Sequence, residues 1–486
     1  MKTKLSPVFV FILVLLLASL ACQSLDVGAP VDADLPATAP EASDEAAPAA
    51  DSPPPADSSV LVAPAVALPD PIQSRGPGMA CFGLRAGGLT CLDENGWQTF
   101  TRDNSGLPSN FVQAAGVCPD ERIVIAHSDG LSLFDGVNWE TVPKSSDYST
   151  ADAVACALDG SLWVAHFKGV SVYANGAWTL YPSELLATGE SANQLVYGIA
   201  ASSDGRVWAV TSRSVAVFEN DEWRVFQEGR GFDESVFFNV LTIDSLDRPW
   251  AGLSKGAAYY DGAWTMVAKP DYSSPTGMTF DASGRLWFGT SINGLSMYNG
   301  NTWVDFNRKL GTLPSDKIKG MAADSLGRVW AATTYGLVVF DGDTRETYRM
   351  ENSDIGDNEL RFVVIVKDGP SLPAIAEKQT GSMTGKLEKP GGAPLPGMRV
   401  EICVETLASQ FSGDTPCSDQ PFFLSTTTDT SGVFSFENVP AGYYVFVAET
   451  GDGWAQLTTQ FGFGSERTPI MAGEDYDIGT LTLEED

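Results

Sequence analysis

The chain has 486 residues, with 30 Lys and Arg against 62 Asp and Glu, and a formal net charge of −32. A surface this acidic repels phosphate backbones and anionic headgroups, which argues against nucleic-acid binding and against adhesion of the folded surface to a membrane. Twelve Trp, 48 Gly and 43% hydrophobic residues point to cores made of short strands and tight turns, divided over two or three domains.

The chain opens on MKTKLSPVFVFILVLLLASLAC, where Lys2 and Lys4 precede an apolar run from Pro7 to Ala21. That run has the length of a secretory h-region and is short for a membrane span. It closes on Ala21-Cys22 and resembles a bacterial lipoprotein signal, in which the chain is cut before a Cys that becomes lipidated. The resemblance implies a signal peptide over 1–21, lipidation of Cys22, and a protein anchored by lipid alone on the extracytoplasmic face of a bacterial membrane. Cleavage removes two lysines and no acid, which leaves a net charge of about −34. Residues 22–78 are rich in Ala, Pro, Asp, Glu and Ser, with Arg75 as their one base. They hold too little apolar surface to offset the entropy of ordering, and are predicted to form a disordered stalk.

Apart from Cys22 there are six Cys, and an exported chain can join them. Cys403 and Cys417 flank a Gly/Asp/Pro-rich loop and are the best pair. Cys81 and Cys91 sit on two strands of one predicted hairpin. Cys118 and Cys156 occupy nearly equivalent places in adjacent repeats, and the sequence leaves their pairing open. No C-x-x-C pair supports a structural zinc site.

Residues 79–366 are repetitive. A Trp followed three residues later by an aromatic residue or Val recurs at Trp97/Phe100, Trp139/Val142, Trp178/Tyr181, Trp223/Phe226, Trp264/Val267 and Trp303/Phe306, with Arg345/Tyr348 as a seventh, Trp-less copy. Each is preceded by a hairpin turn such as Asn95-Gly96 or Asn299-Gly300, whose residues tolerate positive φ. A second Trp stands upstream at 163, 208, 250, 287 and 330, itself preceded by a turn such as 281–284 or 324–327. Each unit of about 40 residues thus reads as four strands, a propeller blade. The first copy has only three strands, and the segment NELRFVVIV at 358–366 aligns with the missing one. The expectation is an all-β chain whose seven-bladed propeller is closed by exchange of N- and C-terminal strands.

The segments SGLPSNFVQAAG (105–116), DASGRLWFGTSINGLSMY (281–298) and LPSDKIKGMAADSLGRVWAATTYGLVVF (313–340) resemble two-component regulator propeller repeats. That resemblance implies a ligand-binding ectodomain, and nothing downstream resembles a histidine kinase. After a linker at 367–380, residues 381–486 follow a different pattern. Gly385, Pro394 to Gly397, Thr428-Asp429, Gly432, Phe434, Phe436, Asn438 to Pro440 and Gly442 to Tyr444 resemble a carboxypeptidase-regulatory-like or prealbumin-like β-sandwich. Such modules are non-catalytic. Some relatives cross-link a Lys to an Asn; Lys386 stands on the right strand, but the last strand offers no Asn, so no cross-link is expected.

Chemistry is sparse. The two His, His127 and His166, hold equivalent places in two repeats where the other copies have Leu84, Thr211, Leu253, Thr290 and Thr333. A two-His metal site lacks a third ligand by spacing, and packed imidazoles are the simpler expectation. The repeated Asp244, Asp281 and Asp324 invite a calcium reading, but no D-x-D-x-D loop is present, and Asp at a turn's first position serves the turn. No catalytic residue, metal or cofactor is expected. The long connections 101–111, 143–151, 182–194 and 227–236 carry Tyr148, Tyr181, Phe232 and Asp233, aromatics beside acids that suit a sugar or peptide. The sequence names no ligand-binding residue. The leading expectation is a monomeric, non-enzymatic surface lipoprotein that binds a glycan, peptide or protein through its propeller loops. The alternatives are an extracytoplasmic sensor module that serves a separate membrane signalling protein, and a streptogramin-lyase-like propeller enzyme built around His166.

Overall fold

The computed structural model describes residues 78–483 apart from 148–149, 188–194, 227–236, 270–274, 405–414, 419, 452 and 458–466. The expected signal peptide, Cys22 and nearly all of the expected stalk lie outside the described residues, as do Tyr148, Phe232 and Asp233.

Among the described residues, seven four-stranded antiparallel sheets follow one another. Blade 6 is representative: Pro275–Phe280 is innermost, and Leu286–Thr290, Leu295–Tyr298 and Trp303–Phe306 step outward. The inner strands of blades 2 to 7 are Val112–Val117, Ala153–Cys156, Val196–Ala201, Phe238–Ile243, Pro275–Phe280 and Ile318–Ala323. Each contacts the next, and Leu360–Val366 contacts both the last and the first. That strand pairs antiparallel with Met79–Leu84, with Met79 opposite Val366 and Leu84 opposite Leu360. It is the missing strand of blade 1, so the ring closes on residues from both ends of the repeat array. The fold is an all-β propeller.

A blade is apolar on both faces, and each face is buried by a neighbour. Trp330 of blade 7 packs with Ala80 and Phe82 of blade 1. Leu89 packs with Val112 and Ile123, and Val124 with Val154 and Val164. Trp163 meets Ile199 and Val207, and Trp208 meets Leu241 and Ala251. Trp250 meets Met278 and Phe288, and Trp287 meets Ile318 and Val329. The Trp of each second strand therefore faces the following blade. The Trp of the outer strand faces the preceding one: Trp303 donates to the Ala268 carbonyl at 2.9 Å and Trp178 to the Pro143 carbonyl at 2.7 Å. At roughly 150–250 Å² each, burial of one such Trp stabilises by at most about 4–6 kcal/mol.

The turns after the inner strands carry a second recurring device. Asp281 accepts from the N–H groups of Ser283 (2.9 Å) and Arg285 (3.0 Å), from Arg285 Nε (2.6 Å) and from Trp287 Nε1 (2.8 Å). Asp324 repeats this with Arg328 and Trp330, and Asp244 with Arg248 and Trp250. These carboxylates are saturated by protein N–H groups, so they serve as hubs that tie turn to wedge, not as calcium ligands. Burial works against the Asp244 carboxylate, yet its bonds to Arg248 and Trp250 hold its pKa below the usual range. In blade 4 Ser202 stands where blades 5, 6 and 7 have Asp, and Trp208 Nε1 has no hydrogen-bond partner among the described residues.

Three disulfides are present. Cys81–Cys91 joins directly paired residues of blade 1, Cys118–Cys156 joins blades 2 and 3, and Cys403–Cys417 lies in the C-terminal domain. The segment read as a linker lies along blade 7. Pro370 O accepts from Arg328 Nη2 (2.7 Å), Pro373 O from the Tyr348 hydroxyl (2.9 Å), and the Ala376 N–H bonds to Asn352 O (3.0 Å). It thereby crosses from the end of the axis where the inner strands finish to the end where they start, which we term the mouth.

There the chain enters a β-sandwich. One sheet holds Thr380–Glu388, Val433–Pro440 and Asp475–Thr482; the other holds Arg399–Cys403, Phe423–Thr427, Gly442–Thr450 and Gly453–Leu457. Met383, Phe434 and Phe436 meet Ile402, Tyr444 and Phe446 between them. Gly385 is required because a Cβ there would lie 2.6 Å from the Phe434 ring. Lys386 lies opposite Thr480 on the last strand and pairs with Glu388 at 2.5 Å. The sandwich is bolted to the propeller by buried charge. Arg467 is bidentate to Asp357 (3.1 and 2.6 Å) and also reaches Glu359 (3.4 Å), which holds Arg85 (2.8 Å).

Two outcomes are expected. A chain ending at Asp357 loses the inner strand of blade 1 and should melt far below one ending at Gln379, which keeps the strand and loses only the sandwich; equal melting temperatures would refute closure by that strand. Asp324→Ala should cost about 3–5 kcal/mol in denaturant titration, because it strands a buried guanidinium. Asp281→Ala should cost less, since the Arg285 side chain is 35% exposed against 6% for Arg328.

Candidate functional site

The sequence-derived candidates divide cleanly. His127 and His166 are buried within separate blades. The Asp129 N–H donates to Nδ1 of His127 at 3.2 Å, so that nitrogen carries no proton and Nε2 donates to Ser132 Oγ at 2.9 Å. His166 does the same with the Lys168 N–H (3.2 Å) and Ser171 Oγ (2.9 Å). In blade 7 the Tyr335 N–H bonds Thr333 Oγ1 at 3.0 Å, and in blade 4 the Arg213 N–H bonds Thr211 Oγ1 at 3.2 Å. Each His thus replaces a Thr as acceptor of the turn N–H two residues on. With both ring nitrogens engaged, His166 is poorly placed to act on a substrate. No group of three or more metal-ligating side chains occurs among the described residues.

Tyr181 is also structural: its ring stacks near Trp163 and packs on Phe218. The regular connections between blades are fixed by their own side chains. Asn104 Oδ1 accepts from the Thr101 N–H and Asn110 Oδ1 from the Arg102 N–H, each at 2.7 Å. Asn352 and Asn358 hold the Arg349 and Met350 N–H groups in the same way.

What the repeats do not explain lies at the second residue of each inner strand. Register shifts skip Gln113, Tyr197, Asn239, Thr276, Lys319 and Arg361, one in each of six blades. Asp152 holds the equivalent place in blade 3, its N–H on the Ala165 carbonyl at 2.9 Å. A bulged residue is released from the ladder and free to be re-aimed. Because the inner strands form a closed ring, these seven positions form a circle at the mouth. Their neighbours in sequence are Val, Ile, Leu, Phe, Pro, Ala and Gly, without a charge or hydrogen-bonding side chain; the bulge column is Arg, Gln, Asp, Tyr, Asn, Thr and Lys.

Two members tie adjacent strands together: Gln113 Oε1 accepts from the Ala151 N–H (2.9 Å) and Thr276 Oγ1 donates to Ile318 O (2.6 Å). Four are solvent-exposed, namely Asp152, Tyr197, Lys319 and Arg361. Asp152 remains open to water yet is flanked by protein, and that desolvation raises its pKa. Desolvation lowers that of Arg361; Glu359 opposes this, and Arg85 and Arg467 reinforce it. A cavity of about 400 Å³ lies among the inner strands, lined by Thr276, Gly277, Gly320, Met321 and Phe362 among others. The same end exposes Phe111 and the rings of Phe167 and Phe237, the latter two capped by Lys168 (5.7 Å) and Arg213 (4.0 Å). The sandwich stands on this end too, beside blades 7 and 1, through Asp357 and Glu359. The bulge column was readable in the sequence, had the inner strands been aligned and their divergent position sought.

No family model matches the chain, and no curated protein does. Solved structures are similar in fold. The extracellular domain of BT4673 from B. thetaiotaomicron is 16% identical over 59% of this chain and 47% of that one, with a TM-score of 0.43. Virginiamycin B lyase from Staphylococcus aureus is 14% identical over 53% of this chain and 92% of its own, at 0.43. PorZ of Porphyromonas gingivalis, a surface component of the type-IX secretion system, is 13% identical over 80% of this chain and 62% of its own, at 0.44. The chain spans about half the length of the first of these. At such identities the likeness is one of fold, and the activities remain those of the other proteins.

The histidines carry a pH signature. Burial lowers both to about 4 from 6.5, helped by Lys144 at His127 and Lys168 at His166 and opposed by Asp129 and Asp147. Above pH 6.5 both states are neutral and the full stability is present. Between 6.5 and 4 the unfolded chain takes up protons that the folded chain refuses, so stability falls. His127→Thr/His166→Thr, which installs the residue of other blades, should lose less stability across that window in melts from pH 7 to 4. The difference should reach at most about 3 kcal/mol per His. Parallel curves would show that the imidazoles are not buried neutral.

Proposed function

We propose that this chain is an exported, lipid-tethered binding protein, without catalytic activity, whose ligand site is the mouth of the propeller. The observation that carries this reading is the bulge column: one position per blade, skipped by the strand ladder in six of the seven, brought to one circle and filled by a different polar residue in each copy. A repeat under only packing constraints has no use for Asp, Tyr, Lys and Arg at one register position. Export is supported by the three disulfides, which persist in oxidising compartments, and by the opening segment that ends at Cys22.

Lipid attachment at Cys22 and the sandwich's likeness to carboxypeptidase-regulatory-like modules belong to this proposal. In it the sandwich is a fixed wall beside the mouth, held by Arg467. The propeller then acts as a monomer on a surface glycan or peptide.

The test is a glycan and peptide array probed with the full chain and with Asp152→Asn and Tyr197→Ala. The wild type should retain at least one ligand, and each variant should bind it about tenfold more weakly at unchanged melting temperature. Binding that both variants retain in full would place the site elsewhere and overturn the reading.

A further inference from the structure

We infer that the ligand of the mouth is an acidic saccharide, a sugar that carries a carboxylate. This rests on the binding reading above. The open residues of the bulge column fall into two pairs of neighbouring blades: Asp152 and Tyr197 in blades 3 and 4, Lys319 and Arg361 in blades 7 and 1. The two pairs stand on opposite sides of the ring.

The cation pair is the unusual element. Acids outnumber bases two to one in this chain, 62 to 30, and most described arginines sit on a carboxylate. Lys319 and Arg361 are exposed, and the side chain of neither makes a hydrogen bond or ion pair with another described residue. Their proximity is built into the backbone. Gly320 follows Lys319, and a Cβ at Gly320 would lie 2.9 Å from the Phe362 Cα and 3.6 Å from the Arg361 carbonyl oxygen. Only glycine lets the two strands approach so closely, and that approach brings the backbones of positions 319 and 361 to neighbouring places on the ring. Glu359, the acid next to Arg361, is already held by Arg85 at 2.8 Å and by Arg467 at 3.4 Å. Arg85 and Arg467 also repel Arg361. An anion arriving between Lys319 and Arg361 therefore meets uncommitted donors, and a carboxylate fits the guanidinium fork.

Across the ring, Asp152 is an acceptor with no described side-chain hydrogen bond, and Tyr197 next to it is an exposed ring. A carboxylate that takes two hydroxyls beside an aromatic face that covers C–H groups matches a pyranose better than a peptide.

The experiment is titration calorimetry of the full chain with a panel of uronate oligosaccharides (galacturonate, glucuronate, mannuronate and guluronate), their methyl esters, and poly-glutamate. At least one uronate should bind, with its neutral ester about tenfold weaker or more and an affinity that falls with salt. Lys319→Gln and Arg361→Gln should each remove about tenfold of the acid's affinity and leave the ester's unchanged. Asp152→Asn and Tyr197→Ala should weaken acid and ester alike. An ester that binds as well as its acid, with both lost in Tyr197→Ala, overturns the acidic class and leaves the binding reading standing. Poly-glutamate that binds as tightly as any uronate, or no uronate bound at all, also overturns the inference. Uronate binding untouched by all four substitutions overturns the site itself.

Discussion

Everything else in this molecule depends on ring closure by Leu360–Val366. A four-stranded blade has two apolar faces and no way to hide either alone. Seven wedges, each shared by two blades, solve the problem only if the last blade also has a neighbour. The strand from residue 360 supplies it: it completes blade 1 from the far end of the array, so that Trp330 of blade 7 has Ala80 and Phe82 to pack against. Closure also covers the edge of Met79–Leu84, which would otherwise offer unpaired backbone groups to another chain. The same event brings Asp357 and Glu359 to the mouth, because they lead directly into that strand. The sandwich is then anchored by Arg467 to residues whose position closure has already set. Stability and domain arrangement are thus consequences of one pairing.

Polar residues in the repeat obey a comparable economy. In blades 5 to 7 the turn Asp receives backbone N–H, an Arg and a Trp indole, so that one carboxylate fixes the turn, orients a guanidinium and pins the largest wedge side chain. Where Ser202 replaces it, the Trp208 indole N–H is left without a described partner, which shows what the carboxylate contributes in blades 5 to 7. His and Thr likewise exchange at the next turn, because Nδ1 accepts from the N–H two residues on as Oγ1 does, while Leu84 and Leu253 do without that bond. Residues of chemically active types are therefore consumed by architecture at the positions where the repeat places them.

That is also why the fold was legible in the sequence and the site was not. Trp and Gly spacing announces blades directly, since turn geometry and wedge packing depend on residue type at fixed intervals. The three-strand first copy and the orphan segment 358–366 made closure readable before any coordinates. Gly385, Gly432 and Phe434 likewise marked the sandwich. Asp281 could be assigned to its turn, but its bonds to Arg285 and Trp287 required knowledge of which side chains face one another. Tyr181 stood among the loop aromatics because sequence does not distinguish a ring packed on Trp163 from one open to solvent. The bulge residues drew no attention for a different reason. Each is unremarkable alone, and a bulge leaves no mark on hydrophobic periodicity beyond a single extra residue.

The bulge separates two demands that a strand usually couples. In a regular ladder every second side chain must suit the same neighbour, so chemistry at one place is bought at the expense of packing. Here the extra residue is skipped by the ladder of its own sheet, while the apolar residues and glycines on either side keep the strand seated. Its identity can vary without loss to the fold, and ring symmetry carries each variant to the same end of the axis. Gly320 completes the arrangement, because close approach of two inner strands turns separate residues of blades 7 and 1 into a pair. A propeller of nearly identical blades can in this way present an asymmetric mouth, with cations on one side and an acid beside an aromatic ring on the other. Specificity then resides in the one register position at which the copies are free to differ.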